Sequence, residues 1–139
     1  LLPFVSAGDG VLPVPFAISV KEGSWPVLEP LFEGFGRLEV LTSRGMKVRY
    51  LAPAMAETGR TIRPVLIVFP QFSESGPAVA EALAEAAVAD ALIETGTDLT
   101  ATPGALAEFA ALASTVAGYR IGYATLGEGI ELVRSLTKR

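Results

Sequence analysis

The run of residues 65–69 (VLIVF) constrains the fold more than any other feature of this sequence. All five residues are apolar. A strand with one face in water alternates apolar and polar residues, so a continuous apolar run predicts a strand covered on both faces. The rest of the chain must cover both faces of this predicted strand, residues 63–69, and a layered α/β fold does so.

Further strands are predicted on either side of this run. Residues 37–42 and 47–51 alternate apolar and polar side chains around Ser43-Arg44-Gly45, a pattern typical of a hairpin with one face in water. A strand is also expected near residues 16–20, after a proline-containing extended segment. Residues 119–123 (YRIGY) predict a short strand near the end of the chain.

Two helices are predicted before residue 95. Ser24 is a favourable N-cap, and Pro26 lies in the first turn, where its missing N–H has no cost. Pro30 limits this helix to a short or kinked one. Residues 77–94 predict a second helix of about 18 residues, because a proline stands at its first position and alanine and leucine recur along it.

Two more helices are predicted towards the C-terminus. The pair Thr102-Pro103 predicts an N-cap and first helical position, and the apolar spacing continues the helix to about Val116, with Gly118 closing it. Thr125, with Glu128 three residues later, predicts a capping box at the start of the last helix. The expected fold is one α/β domain spanning residues 1–139, with a mixed sheet flanked by helices.

Composition excludes several classes of function. The 139 residues are 50% hydrophobic and 19% charged, which is typical of a globular chain and not of a disordered one. Neither cysteine nor histidine is present, so disulfides, thiol catalysis, Ser-His-Asp catalysis and nearly every zinc site are excluded. The net charge is −4 and the basic residues are scattered, so nucleic acid is not an expected partner.

A membrane partner is not expected either, because acidic residues interrupt the most apolar stretch, residues 79–93. The sequence has no signal-peptide pattern and does not begin with methionine. We therefore expect Leu1 to be an internal residue of a longer chain.

Lys21 and Ser24 are the first candidate binding residues. No GxxxxGK(S/T) phosphate loop and no GxGxxG motif occurs in the sequence. Lys21, however, follows a predicted strand and precedes the helix start at Ser24. The unpaired N–H groups of a helix start favour phosphate, and a lysine there adds a positive charge. The alternative interpretation is a solvated lysine beside an ordinary capped helix.

Other polar residues have weaker claims. Arg63 precedes the buried strand and could face an anion at the end of the sheet. The favoured interpretation, for Arg63 and for the hairpin cations alike, is a solvated surface residue. Three carboxylates could hold a magnesium ion or act as a base, although no spacing pairs them. The hairpin cations are Arg44, Lys47 and Arg49, and the carboxylates are Asp9, Glu22 and Glu39.

Two other features have structural interpretations. Trp25 beside a helix start is expected to be a packing anchor more than a stacking platform. The alanine-rich helix of residues 77–94 is expected to pack closely on a sheet, and it could instead serve as an oligomer surface.

The order of several motifs resembles the HPr kinase-related family of nucleotide-dependent serine kinases. Residues 13–25 (PVPFAISVKEGSW) resemble the P-x-P…IS-(L/V)-K-x-x-S stretch of that family. Residues 48–53 (VRYLAP) and 65–70 (VLIVFP) are similar to its paired later strands. Residues 118–130 (GYRIGYATLGEGI) are similar to its ending, YRLxYxxLxEAI. The resemblance runs loosely over nearly the whole chain, and the order of the motifs is more specific than any one of them.

The resemblance implies the P-loop fold of HPr kinase and phosphoenolpyruvate carboxykinase-type enzymes. It implies a cytoplasmic, bacterial-type protein that transfers phosphate from ATP, with Mg²⁺, to a serine or similar hydroxyl on an unidentified protein or small molecule. The Walker-type loop and the acidic pair of the family would lie N-terminal to Leu12, and they do not occur in this sequence. The carry-over therefore reaches only Lys21 and Ser24, and less securely Arg63, as nucleotide-binding residues, and no catalytic residue is assigned.

Two alternatives to the kinase-like reading stay open. The chain could be a non-catalytic binding or regulatory module that keeps the fold without the nucleotide site. It could also be an oligomerisation domain.

Overall fold

The computed structural model describes residues 4–7, 10–13, 17–52, 61–95 and 104–138. The α/β class predicted from the sequence is confirmed, but the strands of the described residues form separate small sheets instead of a single one. The chain divides into two compact units, Leu12–Thr61 and Ile62–Arg139, each with short segments from the start of the chain. We call them the N-terminal and C-terminal units. The first two strands, β1 (Phe4–Ala7) and β2 (Gly10–Pro13), pair in a two-stranded sheet.

The main part of the N-terminal unit is an antiparallel sheet of three strands in the order β3-β5-β4. A 3-10 turn and one short helix follow the first of these strands. The elements are β3 (Ile18–Lys21), a 3-10 turn (Glu22–Ser24), α1 (Trp25–Leu28), a second 3-10 turn (Phe35–Arg37), β4 (Leu41–Ser43) and β5 (Met46–Leu51).

The predicted hairpin is present between β4 and β5. Arg44 and Gly45 have φ angles of 50° and 78°, and two successive left-handed residues match the right-handed twist of a tight hairpin. The strand predicted for residues 37–42 is wrong over its first half. Gly34, with φ 80°, turns the chain, and the following Phe35 is buried in a 3-10 turn, so regular pairing begins only at Leu41.

The C-terminal unit has a mixed sheet of three strands with three helices. Its strand order is β6-β8-β7, in which β6 runs parallel and β7 antiparallel to the central β8. The elements are β6 (Leu66–Phe72), β7 (Val79–Leu83), α2 (Glu85–Glu94), α3 (Ala105–Thr115), β8 (Ala117–Tyr123) and α4 (Leu126–Thr137).

The helices of this unit pack on opposite faces of the sheet. On one face, Val88 of α2 lies so close to Gly118 of β8 that a Cβ on this glycine would be 2.2 Å from Val88 Cγ2. On the other face, Gly129 of α4 lies against the ring of Tyr123. Successive strand residues point to opposite faces, so Gly118 and Tyr123 mark the two sides. The core beneath α2 and α3 contains Val88, Leu92, Phe109 and Ala113, with Ile67, Phe69 and Leu83 packed against it.

Three predictions about this unit need correction. Residues 79–83 form β7 and not the first half of a helix, because they pair with β8 along five registered positions. Gly118 lies inside β8 and ends no helix, and the close approach of Val88 explains the glycine. Residues 66–69 are only half-buried, because β6 lies at the edge of its sheet and not in its middle.

Other predictions about this unit hold. The capping box of Thr125 and Glu128 is confirmed at the start of α4. The predicted cap at Thr102-Pro103 lies outside the described residues, but the helix that follows it is present as α3.

No helix in the described part of the chain is long and apolar enough to cross a membrane.

Candidate functional site

Lys21 and Ser24 stand at the two ends of one short turn. β3 ends at Lys21, the 3-10 turn occupies Glu22–Ser24, and α1 begins at Trp25. Both candidate residues are exposed. Ser24 occupies the predicted N-cap position, but its backbone is helical (φ −94°, ψ −8°) and its side chain makes no capping hydrogen bond. The Ser24 hydroxyl is therefore not engaged in holding the helix start.

The helix that follows is too short to contribute much field to this turn. α1 has four residues, and the chain then turns at Glu29 and Pro30. The dipole of a helix is the sum of its aligned peptide groups, so a single turn supplies only a small part of the positive potential of a full helix. Lys21 itself must provide most of any attraction for an anion at this position.

Glu22, inside the turn, is paired across the sheet. Its carboxylate lies 3.1 Å from the Nζ of Lys47, and both side chains are more than half exposed. The carboxylate that stands nearest to Lys21 in sequence therefore has its own cation. Of the other two acidic residues singled out from the sequence, Glu39 is exposed and Asp9 lies outside the described residues.

Arg49 of β5 is mostly buried, in contrast to the solvated position predicted for it. The guanidinium of Arg49 lies over the ring of Trp25 at 4.1 Å and near the ring of Phe35 at 5.4 Å, and Glu29 contacts it at 2.6 Å. Only 11% of the Arg49 side chain is exposed. The interpretation of Arg49 as a solvated hairpin residue is therefore wrong. Trp25 is an anchor as expected, since its Nε1 donates to the carbonyl oxygen of Val20 at 3.0 Å and its ring covers the arginine.

This cluster was difficult to find from the sequence. Arg49 and Glu29 are 20 positions apart and carry no motif. A partial signal is the strand alternation: Arg49 pairs with Val20 across the sheet, and directly paired residues share a face. Val20 is apolar and precedes a helix that contains a tryptophan. The face that Val20 shares with Arg49 is therefore the face that the pattern predicts to be covered. The cluster uses its charges internally, and we assign it a structural role.

Arg63 lies in the C-terminal unit, before β6, and is exposed. Its neighbour Ile62 forms an antiparallel bridge with Val11 through two backbone hydrogen bonds of 2.8 and 2.9 Å. Lys21 and Ser24 thus lie on one turn of the N-terminal unit, whereas Arg63 belongs to the C-terminal unit.

The start of α4 already holds an anion of its own. Glu128 Oε2 accepts hydrogen bonds from the backbone N–H groups of Ala124 and Thr125 at 3.0 and 2.9 Å. These N–H groups hold the pKa of Glu128 below its ordinary value, because they stabilise the charged carboxylate. The side chain of Thr125 in turn accepts from the N–H of Glu128. The helix start that follows a parallel strand is therefore filled by the chain's own carboxylate.

In the described ranges, no three or more acidic side chains lie close enough together to hold a metal ion. None of these residues is therefore assigned to the magnesium ion that the resemblance implies.

Comparison of the chain with protein-family models, with curated proteins and with solved structures found no match. The Lys21–Ser24 turn is accordingly judged on its geometry and on the motif order described above.

Proposed function

We propose that this chain is part of an ATP-dependent, serine kinase-like phosphotransferase of the HPr kinase-related type, in which the Lys21–Ser24 turn contacts nucleotide phosphate. The observation that carries the proposal is the pairing on one turn of an exposed ammonium with an exposed hydroxyl that makes no capping hydrogen bond. The motif order of residues 13–25 supports it.

The two side chains would act in different ways. The Lys21 ammonium is a compact, mobile charge with three donors, which suits phosphate oxygens without fixing one geometry. The Ser24 hydroxyl can donate one further hydrogen bond. Glu22 opposes anion binding less than a lone carboxylate would, because Lys47 compensates its charge. Both contacts position the nucleotide, and neither residue is a base or a nucleophile in this proposal.

Arg63 enters the proposal as a separate anion contact. It is exposed before β6, at the N-terminal end of a strand, whereas ligands of parallel sheets collect at the C-terminal ends. This position favours a solvated surface role for Arg63 over a role as an anion contact. The phosphate acceptor, a protein or a small molecule, is part of the proposal only as a hydroxyl-bearing class.

A second candidate function is a binding module without nucleotide chemistry. One side of the β3-β5-β4 sheet carries three exposed apolar side chains: Leu41 of β4, and Met46 and Tyr50 of β5. Their register places them on the same side of the sheet, since Leu41 pairs with Val48 and alternate residues of β5 share a face. Val48, between Met46 and Tyr50 on the same side, is buried, so the exposed apolar side chains surround a covered position. Exposed apolar side chains grouped on one side of a sheet favour contact with another protein.

The oligomerisation alternative is not favoured by the alanine-rich segment. Its helical part, α2, uses Val88 and Leu92 in the core of its own unit. The exposed side of α2 carries Asp90 and Glu94, and like charges repel one another across a symmetric interface.

Calorimetric titration with MgATP tests the phosphate contact. Lys21→Ala removes one exposed charge, and we expect the dissociation constant for MgATP to rise about two- to fivefold, the range for an exposed charge contact. Lys138→Ala is the matched control, because it removes an exposed lysine from the end of α4. Tripolyphosphate, titrated in parallel, isolates the phosphate contribution from that of the base and sugar.

Three outcomes are informative. A loss confined to Lys21→Ala supports the proposal, and equal affinities for Lys21→Ala and Lys138→Ala reject the role of Lys21. If the unaltered protein binds neither MgATP nor tripolyphosphate, the binding-module function replaces the kinase-like one.

A further inference from the structure

We draw no further inference here: the strongest candidate, the exposed apolar face of α3 formed by Leu106, Ala107, Ala110 and Ala111, is an unpartnered surface, and nothing in the structure shows what covers it.

Discussion

Each of the two compact units is stabilised internally by its own kind of contact. In the C-terminal unit, aliphatic and aromatic side chains pack between two helices and a sheet, and a glycine lets one helix approach closely. The N-terminal unit also buries apolar side chains (Val20, Phe35 and Val48), but it adds a mostly buried guanidinium that lies near two aromatic rings and contacts a carboxylate. The first arrangement depends on volume, and the second depends on every partner of a charge being present.

This difference decides how each unit should respond to substitution. An aliphatic core is destabilised by added atoms, because protein interiors are close-packed and an extra methyl group displaces its neighbours. A mostly buried charge behaves in the opposite way: replacing the charge itself can cost little, whereas removing its partner leaves it unpaired. The predictions below test this contrast, beginning with the largest effect.

Gly118→Ala should destabilise the C-terminal unit by about 2–3 kcal/mol, because the added methyl group overlaps Val88. Urea unfolding followed by circular dichroism measures the change. Gly127→Ala is the matched control in the same unit, since a Cβ there meets nothing nearer than 4.0 Å and the helix gains from alanine.

The same contact gives a coupling test. Val88→Ala removes the two methyl groups nearest to the added atom, so Gly118→Ala should cost less in that background than in the unaltered protein. Strictly additive free energies would show that the close approach of Val88 is not the cause.

Glu29→Ala should cost more than Arg49→Met, even though both remove the same ion pair. Glu29→Ala leaves the Arg49 guanidinium, whose side chain is 11% exposed, without its carboxylate, at a cost of about 1–3 kcal/mol. Arg49→Met leaves Glu29, which is 46% exposed, in water, and keeps an apolar stem over Trp25, so the change should stay within about 1 kcal/mol of zero.

Trp25 makes this comparison measurable, because it is the single tryptophan of the chain and reports on the N-terminal unit. Urea unfolding is followed by its fluorescence. Equal costs for the two variants, or a larger cost for Arg49→Met, would contradict the proposed difference between the units.

Acid should weaken the start of α4 through Glu128. The pKa of Glu128 is lower in the folded chain than its ordinary value of 4.5, since the N–H groups of Ala124 and Thr125 favour the carboxylate. A depressed folded pKa contributes stability that is present above the ordinary pKa and is lost as the pH falls through the folded pKa. We therefore expect Glu128→Gln to reduce the dependence of the unfolding free energy on pH below about 4.5.

The free energy of unfolding, measured from about pH 3 to about pH 7 so that the titration of carboxylates is covered, checks this expectation. Glu131→Gln is the control, because it removes a carboxylate from the same helix outside the capping box. An identical pH dependence for Glu128→Gln and the unaltered protein would show that the Glu128 carboxylate does not stabilise the start of α4.

Lys47→Ala should have the smallest effect, within about 0.5 kcal/mol, because the Lys47–Glu22 pair is exposed on both sides and water replaces it at little cost. The measurement is again the fluorescence of Trp25 during urea unfolding. A loss above 1 kcal/mol, on the order of a buried contact, would mean that exposed charges also stabilise the N-terminal unit.

Local patterns predicted the parts of the fold that depend on local interactions. Ser43-Arg44-Gly45 predicted a hairpin, and Thr125 with Glu128 predicted a capped helix, because the required backbone and side-chain partners lie within a few residues. These predictions are confirmed. The candidate turn at Lys21 and Ser24 was also placed correctly between a strand and a helix start.

The errors come from contacts between distant residues. Alanine favours helix, but residues 79–83 form a strand because β8, far along the chain, offers a partner, as in the pairing of Ala80 with Ile121. A glycine after an apolar helical stretch predicts a helix end, but Gly118 lies in β8, where its missing side chain admits Val88. The hairpin pattern predicts a solvated Arg49, since Trp25 and Phe35, whose rings lie near its guanidinium, belong to other elements.

The most direct test of the functional account is a map of backbone amide shifts as tripolyphosphate is added to the ¹⁵N-labelled protein. We expect the largest shift changes to centre on Lys21–Ser24, to be lost in Lys21→Ala and to be kept in Lys138→Ala. Changes centred elsewhere, on Arg63 or on the start of α4, or no changes at all, would contradict the assignment of phosphate to this turn.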